Sequence, residues 1–442
     1  MKMKDHPRTR TLFILNKLDK ERKTLDNILE NTPEDASFSR RDQALTHALT
    51  YGVLRWRSRL DLIIGHFSKT PLNKMDSRIL NVLRIGVFQM LYLDKIPVSA
   101  AVNTSVEMAK SFSSPWVVRF VNGLLRNIAR KYESVPFPDM GKDPISALAA
   151  EKSFPKWLVR RWLRRFGTEE TARLCDAVNS IPPITIRTNT IKTTREELMI
   201  SLEAEVGEID PTPHARDGIS FSHPKMPVAE MKTFQKGWFQ VQDEAAQLVS
   251  QFLNPQPGEN ILDACAGFGG KTGHIAQLMK NQGRIVAMDK DGGKLLRLKS
   301  ETERLGISIV RTCVHDLQLP YEKESDFAGF DRILLDAPCS GLGVLRRNPD
   351  AKWSVSEKNL DRCKKRQSVF LNHLAPLLSP RGVLVYAVCS TETEENEAVT
   401  EAFLEAGDLR FEIRNSESSY LRTFPHRDHM DGFFAVRFRR IR

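Results

Sequence analysis

Asn260-Ile261-Leu262-Asp263-Ala264-Cys265-Ala266-Gly267-Phe268-Gly269-Gly270-Lys271-Thr272 reads as a buried strand, a glycine turn and the start of a helix. The apolar pair before Asp263 supplies the strand end. The glycines let the backbone turn sharply and approach a ligand closely. Two later strands end in cysteine. Ile333-Leu334-Leu335-Asp336-Ala337-Pro338 runs into Cys339, and Val383-Leu384-Val385-Tyr386-Ala387-Val388 runs into Cys389. In an open α/β sheet, ligands bind outside the carboxyl ends of the strands. The turn and both thiols are therefore expected in one crevice.

Three ligands compete for the turn. Gly270-Lys271-Thr272 matches the end of a P-loop, but Cys265 stands where the opening glycine belongs, which damages the nest of amides that cradles phosphate. A dinucleotide fingerprint needs a third glycine where Thr272 stands, and the Asp263 carboxylate disfavours a nearby pyrophosphate. S-adenosyl-L-methionine carries a cationic sulfonium and suits a rim of strand-end acids. Asp263, Asp289, Asp316 and Asp336 form such a rim. Asp289 is expected at the ribose, Asp316 at the adenine edge and Asp336 near the methyl-bearing end. Cys265, Ala266, Gly267, Phe268, Gly269, Gly270 and Lys271 complete the expected cofactor contacts. The bland alternative for each acid is a helix cap.

From about residue 236 strands and helices alternate, which predicts a mostly parallel, doubly wound sheet. Asn260 to Cys265, Arg284 to Asp289 and Gly432 to Phe438 are expected strands, and Thr272 to Lys280 a helix. Before that, residues 180–235 read as a small α+β segment. Thr185 to Thr190 alternates like a strand, and Thr194 with Glu197 forms a capping box. The first 140 residues read as helices. Their periodic runs include Leu45 to Val53, Leu60 to Phe67, Ile79 to Phe88 and Val117 to Ile128. A further helix from about Pro155 to Phe166 carries Arg160, Arg161, Arg164 and Arg165. Like charges so close repel, which makes sense beside phosphates.

The 442 residues are 41% hydrophobic and 27% charged, which are globular values. The formal charge of +11 fits a polyanionic partner. Six cysteines include no C-x-x-C pair, so no zinc site is expected and a reducing, cytoplasmic compartment is. The stretch from Met1 to Pro7 has no apolar run behind it, so no signal peptide is expected, and no apolar run is long enough to span a membrane.

Asp336-Ala337-Pro338-Cys339-Ser340-Gly341-Leu342-Gly343 and Cys389-Ser390-Thr391-x-x-x-Glu395-Asn396, with the turn at Asp263, resemble the RNA cytosine-5 methyltransferases of the Sun/Fmu type. Gly237-x-x-x-x-Gln242-Asp243-Glu244-Ala245 and Arg347-Asn348-Pro349-Asp350-x-x-Trp353 add to the resemblance. Phe120 to Arg126 makes the helical region similar to the NusB-type domain of the bacterial 16S ribosomal RNA members. The resemblance implies a NusB-like RNA-binding domain over 1–140, a linker and small RNA-binding α+β segment over 141–235, and a Rossmann-like methyltransferase domain over 236–442. It implies Cys389 as the nucleophile that attacks carbon 6 of cytosine, Cys339 as the residue that assists product release, and Asp336 as a contact to the base. Ribosomal RNA is the implied partner, free or in an assembling small-subunit particle, with a monomeric enzyme. Two departures stand out: Gly267-Phe268-Gly269 replaces the frequent Ala-Pro-Gly, and Val388 replaces the usual Thr. The loop with Arg346 and Arg347 could activate a thiol or hold a phosphate. A non-catalytic RNA-binding regulator and a P-loop ATPase are the competing functions.

Overall fold

The structure, a computed structural model, describes residues 7–21, 23–32, 38–320, 328–406, 411–413 and 419–441. The expectation about a signal peptide concerns Met1 to His6, which lie outside these residues. The chain forms two compact units, residues 1–180 with 347–356, and residues 181–346 with 357–442. Among the described residues no helix is long and apolar enough to cross a membrane.

The first unit is helical. The runs around Leu45 and Leu60 belong to one helix, Arg40–Phe67, opened by a Ser39/Asp42 capping box. The most apolar run becomes the helix Ser77–Tyr92, whose Val82, Leu83, Ile85 and Val87 are fully buried. It packs against Val102 and Met108 of the helix Val98–Lys110, and against Val121, Leu125 and Ile128 of the helix Pro115–Lys131. Each such side chain contributes about 1.5–3 kcal/mol by leaving water. Pro115 sits at a helix start, where its missing N–H costs nothing.

The basic helix extends past its expected end. Helical structure spans Lys156–Asn179, with a break at Gly167 (φ 76°), a conformation only glycine adopts cheaply. Arg160 and Arg164 are exposed.

The segment Arg347–Ser356 counts with this helical unit. Asp350 accepts from the Leu25 N–H at 3.0 Å. The Trp353 indole donates to the Leu54 carbonyl at 2.6 Å. Lys352 is fully buried and donates to Asn179 Oδ1 (2.6 Å) and to the carbonyls of Arg55 (3.2 Å) and Ser153 (3.3 Å). Burial pushes its pKa well down. The three oxygens and the Phe154 ring at 3.7 Å favour the charged form.

The second unit opens with a four-stranded antiparallel sheet. Its strands are β1 (Ile184–Thr188), β2 (Ile209–Pro211), β3 (Gly218–Phe221) and β4 (Phe239–Val241), in the order β2-β3-β1-β4. The helix Arg195–Leu202 starts at the expected Thr194/Glu197 capping box and packs Leu198 and Leu202 onto Ile186, Phe221 and Phe239.

The large sheet contains β5 (Asn260–Asp263), β6 (Arg284–Asp289), β7 (Val310–Val314), β8 (Phe330–Asp336), β9 (Leu378–Val388), β10 (Phe411–Glu412), β11 (Tyr420–Thr423) and β12 (Phe433–Arg440). Its order is β10-β12-β9-β8-β5-β6-β7, with β11 also paired to β12. Strands β5 to β9 are parallel, while β10, β11 and β12 form an antiparallel flank. Both faces are covered. Leu262, Val286, Ile333, Leu335 and Tyr386 join one core, and Ile261, Ile285, Leu334 and Val385 join the other. Successive side chains of a strand point to opposite faces, so strands covered on both sides read as unbroken apolar runs.

Candidate active site

The chain leaves β5 toward β6 on one side and returns to β8 on the other. The crevice at this reversal, outside the strand ends, is where such sheets bind ligands. It holds the glycine turn after β5 and the cysteine loop after β8.

Strand register brings the thiols together. Asp336 pairs with Ala387 in the parallel β8–β9 ladder, and the Ala337 N–H donates to the Ala387 carbonyl at 2.8 Å. Cys339 and Cys389 follow these partners by three and two residues, and their Sγ atoms lie 3.2 Å apart. The loop after Cys339 is pinned by backbone contact. The Gly343 N–H donates to the Cys389 carbonyl (3.0 Å), and the Gly432 N–H to the Gly343 carbonyl (2.8 Å). A Cβ on Gly343 would lie 1.9 Å from the Gly432 carbonyl oxygen, so only glycine fits.

The two thiols are not equivalent. The hydrogen bond with Cys389, burial, and the charges of Cys389 and Glu395 push the Cys339 thiol well up. Lys271 Nζ donates to Asp336 Oδ2 at 2.6 Å, and its side chain is only 12% exposed. Burial lowers the pKa of Lys271, but Asp336 and, further down, Cys389 outweigh it and hold the ammonium charged. The Lys271 ammonium is close enough to Cys389 to feel its charge. Arg346, an alternative activator from the sequence, is committed elsewhere. It is buried, 2.5 Å from Asp431 and 3.3 Å from Asp243, and donates to the His429 carbonyl.

The turn has the character of a site for a cationic nucleoside. Gly267 and Gly269 both take positive φ, 54° and 85°. A Cβ at Gly267 would meet nothing within 4 Å, so the backbone there faces open space. Asp289 Oδ2 accepts from the Gly267 N–H at 3.0 Å. Asp263 Oδ2 accepts from Thr272 Oγ1 at 2.7 Å, while its buried Oδ1 has no partner. Burial first, then Asp336, pushes the Asp263 carboxyl up to about 7 against the lowering effect of Thr272. Burial and the surrounding carboxylates likewise push up the Cys265 thiol. An open backbone turn rimmed by acids, one with an orphaned oxygen, fits S-adenosyl-L-methionine. It does not fit a triphosphate, because the two residues a P-loop would use, Lys271 and Thr272, are held by Asp336 and Asp263.

Other expected site residues have contacts of their own. Asp316 closes the turn after β7, the edge strand, by accepting from the Gln318 N–H at 3.0 Å. Ala266 donates its N–H to the Met288 carbonyl (2.9 Å), and so fastens the turn to β6. Phe268 is half exposed, with Lys294 and Arg297 beside its ring at 5.7 and 5.5 Å. Val388 is fully buried opposite Phe434, inside the sheet core. Among the described residues no cluster of His, Cys, Asp and Glu could hold a metal.

Some participants escaped the sequence reading. Arg187, fully buried on β1, donates to the Gly270 carbonyl (2.8 Å), to Gln277 (3.1 Å), to Gln240 (2.8 Å) and to Gln242. Burial lowers its pKa to about 9. It braces the start of the helix Gly270–Leu278 from below. Glu395 is buried between the cysteine loops, with Ser340 and Ser390 bonded to it. Its place in the quoted Cys389 to Asn396 motif was the one signal available.

The chain is similar to known proteins. The family model described as 16S rRNA methyltransferase RsmB/F matches residues 250–439. The NusB family matches 5–130, and the ferredoxin-like domain of the RsmF/B-like methyltransferases matches 154–229. The probable ribosomal RNA small subunit methyltransferase B of Bacillus subtilis (strain 168) is 36% identical, covering 97% of both chains. Its Synechocystis counterpart is 35% identical, covering 96% of this chain and 97% of its own. The crystal structure of PH0851 aligns with a TM-score of 0.80 at 27% identity, covering 99% of this chain and all of that one. A methyltransferase homolog from Pyrococcus horikoshii aligns at 0.59 and 26% identity, over 67% of this chain and 99% of its own. With its NusB-like helical domain and Rossmann-like sheet, the chain belongs to the RsmB/F family of 16S rRNA methyltransferases.

Proposed function

We propose that this protein methylates carbon 5 of a cytosine in small-subunit ribosomal RNA, using Cys389 as a covalent nucleophile. The observation that carries this reading is the pair of thiols 3.2 Å apart beside the Lys271–Asp336 ion pair. Carbon 5 of cytosine is a poor nucleophile, so a thiolate must first add to carbon 6. Lys271 offsets the thiolate charge on Cys389. Asp336 faces the base at the reversal point of the sheet. Bound at the Asp263–Lys271 turn, S-adenosyl-L-methionine supplies an electrophilic methyl group.

The electron balance then closes. The Cys389 sulfur forms a bond to carbon 6, and carbon 5 gains the electron pair that takes the methyl, whose bond to the donor's sulfonium sulfur breaks and leaves a neutral thioether. A base removes the carbon 5 proton, the ring regains its double bond, and the bond to Cys389 breaks. Cys339, held as a neutral thiol, assists this release. The basic helical unit and the +11 charge support an RNA substrate.

Incubation of small-subunit ribosomal RNA and labelled cofactor with single variants tests the assignment. Cys339→Ala should accumulate a covalent protein–RNA adduct, and Cys389→Ala should form none. An adduct on Cys389→Ala would exchange the two roles. Label recovered on any atom other than carbon 5 of cytosine would overturn the reaction.

A further inference from the structure

Glu395 lies in the segment between β9 and the helix Glu397–Glu405, and its side chain is fully buried. Oε1 accepts from the Ser340 N–H (2.8 Å) and from Gln367 Nε2 (3.2 Å). Oε2 accepts from Ser340 Oγ (2.5 Å) and Ser390 Oγ (2.6 Å). Four donors fill the four lone-pair sites that an ionised carboxylate offers. Such an assembly is costly to build in a core unless it is complete, since a buried charge without partners costs several kcal/mol.

The identity of the donors is informative. Ser340 follows Cys339 and Ser390 follows Cys389, so one carboxylate grips the residue after each thiol. Gln367, which also bonds Glu395, donates to the Pro338 carbonyl at 3.3 Å, on the other side of Cys339. Behind the second thiol, the Tyr386 hydroxyl donates to the Glu395 carbonyl at 2.6 Å. Backbone pairing between β8 and β9 ends at Ala337 and Ala387, before either cysteine. Beyond that point a backbone bond from the Gly343 N–H to the Cys389 carbonyl joins the two loops, together with the side-chain bonds through Glu395.

We propose that Glu395 is a positioning residue for the reaction, setting the separation of the Cys339 and Cys389 sulfurs by clamping Ser340 and Ser390. Its negative charge has a second effect. It is one of the groups that hold the Cys339 thiol protonated. The proposal deepens the covalent mechanism above and rests on that reading for its catalytic meaning, though the clamp itself is testable without RNA.

The experiment uses the full-length protein with Glu395→Ala, Glu395→Gln and the double variant Ser340→Ala/Ser390→Ala. Each is treated with diamide, which takes one hydrogen from each of two thiols as they join in a disulfide. The rate of Cys339–Cys389 crosslinking is read by peptide mass spectrometry. Methylation kcat and KM are measured in parallel. Because 1 Å misplacements in active sites cost on the order of a hundredfold, Glu395→Ala should crosslink at least about tenfold more slowly, with kcat reduced and KM for cofactor unchanged. Glu395→Gln keeps the shape and one acceptor, and the serine hydroxyls can turn to accept from its amide, so it should recover part of both rates. Should Glu395→Ala fail to fold, the serine double variant carries the test and must also slow crosslinking. Wild-type crosslinking and kcat in a folded Glu395→Ala, or in the double variant, would overturn the clamp. If the wild-type protein crosslinks normally but methylates no cytosine, the reaction assignment falls and the crosslinking result still judges Glu395.

Discussion

Lys271 Nζ stands 2.6 Å from Asp336 Oδ2, so the first turn of the helix after β5 is bonded to the end of β8 across the reversal point of the sheet. Lys271 lies in the glycine turn after β5 and Asp336 is the last residue of β8. The ion pair joins the two and places an ammonium where it acts on Cys389.

Replacing Lys271 with Ala should therefore slow Cys389. In a Cys339→Ala background, iodoacetamide labelling of Cys389 near pH 7 is expected to slow by about 3- to 10-fold, because the thiolate loses a nearby positive charge. Peptide mass spectrometry reads the site. Equal labelling rates would show that the ammonium serves Asp336 alone.

Asp263 should write a signature into the pH dependence of stability. Its carboxyl moves from 3.8 to about 7 on folding, chiefly through burial. Between these values the folded protein keeps a proton that the unfolded chain has released. The contribution is full below about pH 4 and is lost as pH rises through about 7. Relative to Asp263→Asn, which does not titrate, the wild type should lose on the order of 4 kcal/mol between about pH 4 and pH 8. Urea unfolding of both proteins across that range is the measurement. A difference that stays constant with pH would mean that Asp263 is ionised throughout.

Lys352 should matter to the helical unit and not to the thiols. Lys352→Met keeps the buried volume but leaves Asn179 Oδ1 and the carbonyls of Arg55 and Ser153 without this donor. Each buried acceptor left unpaired costs about 1–3 kcal/mol. Faster amide hydrogen exchange in the helices Arg40–Phe67 and Lys156–Asn179 is the expected result. Unchanged protection would show that water replaces the ammonium.

Arg160 and Arg164 are exposed on one side of the helix before Gly167. If both meet phosphates, the double Gln variant should lower the slope of log affinity against log salt by roughly 0.7–0.9 for each phosphate that the protein no longer neutralises. Filter binding of ribosomal RNA at several salt concentrations measures the slope. An unaltered slope would assign the helix to solvent.

Local signals were legible where local physics decides. The Thr194/Glu197 capping box needs only four consecutive residues, and it is present. The apolar runs of β8 and β9 announce strands covered on both faces, and they are. The break at Gly167 was less legible, because a lone glycine is compatible with a continuous helix as well as with a kink.

Sequence by itself determined the alternation of strands and helices, the glycine turn after Asp263, and the two cysteines at strand ends, because periodicity, turn chemistry and strand-end placement act over a few residues. Tertiary structure alone decided that Lys271 bonds Asp336, that Arg187 supports Gly270 from another sheet, and that Glu395 joins the loops of Ser340 and Ser390. The partners in Lys271–Asp336, Arg187–Gly270 and Ser340–Glu395 are 65, 83 and 55 residues apart. A buried charge takes its partner from whatever the fold brings within hydrogen-bond reach, and no short stretch of chain encodes that.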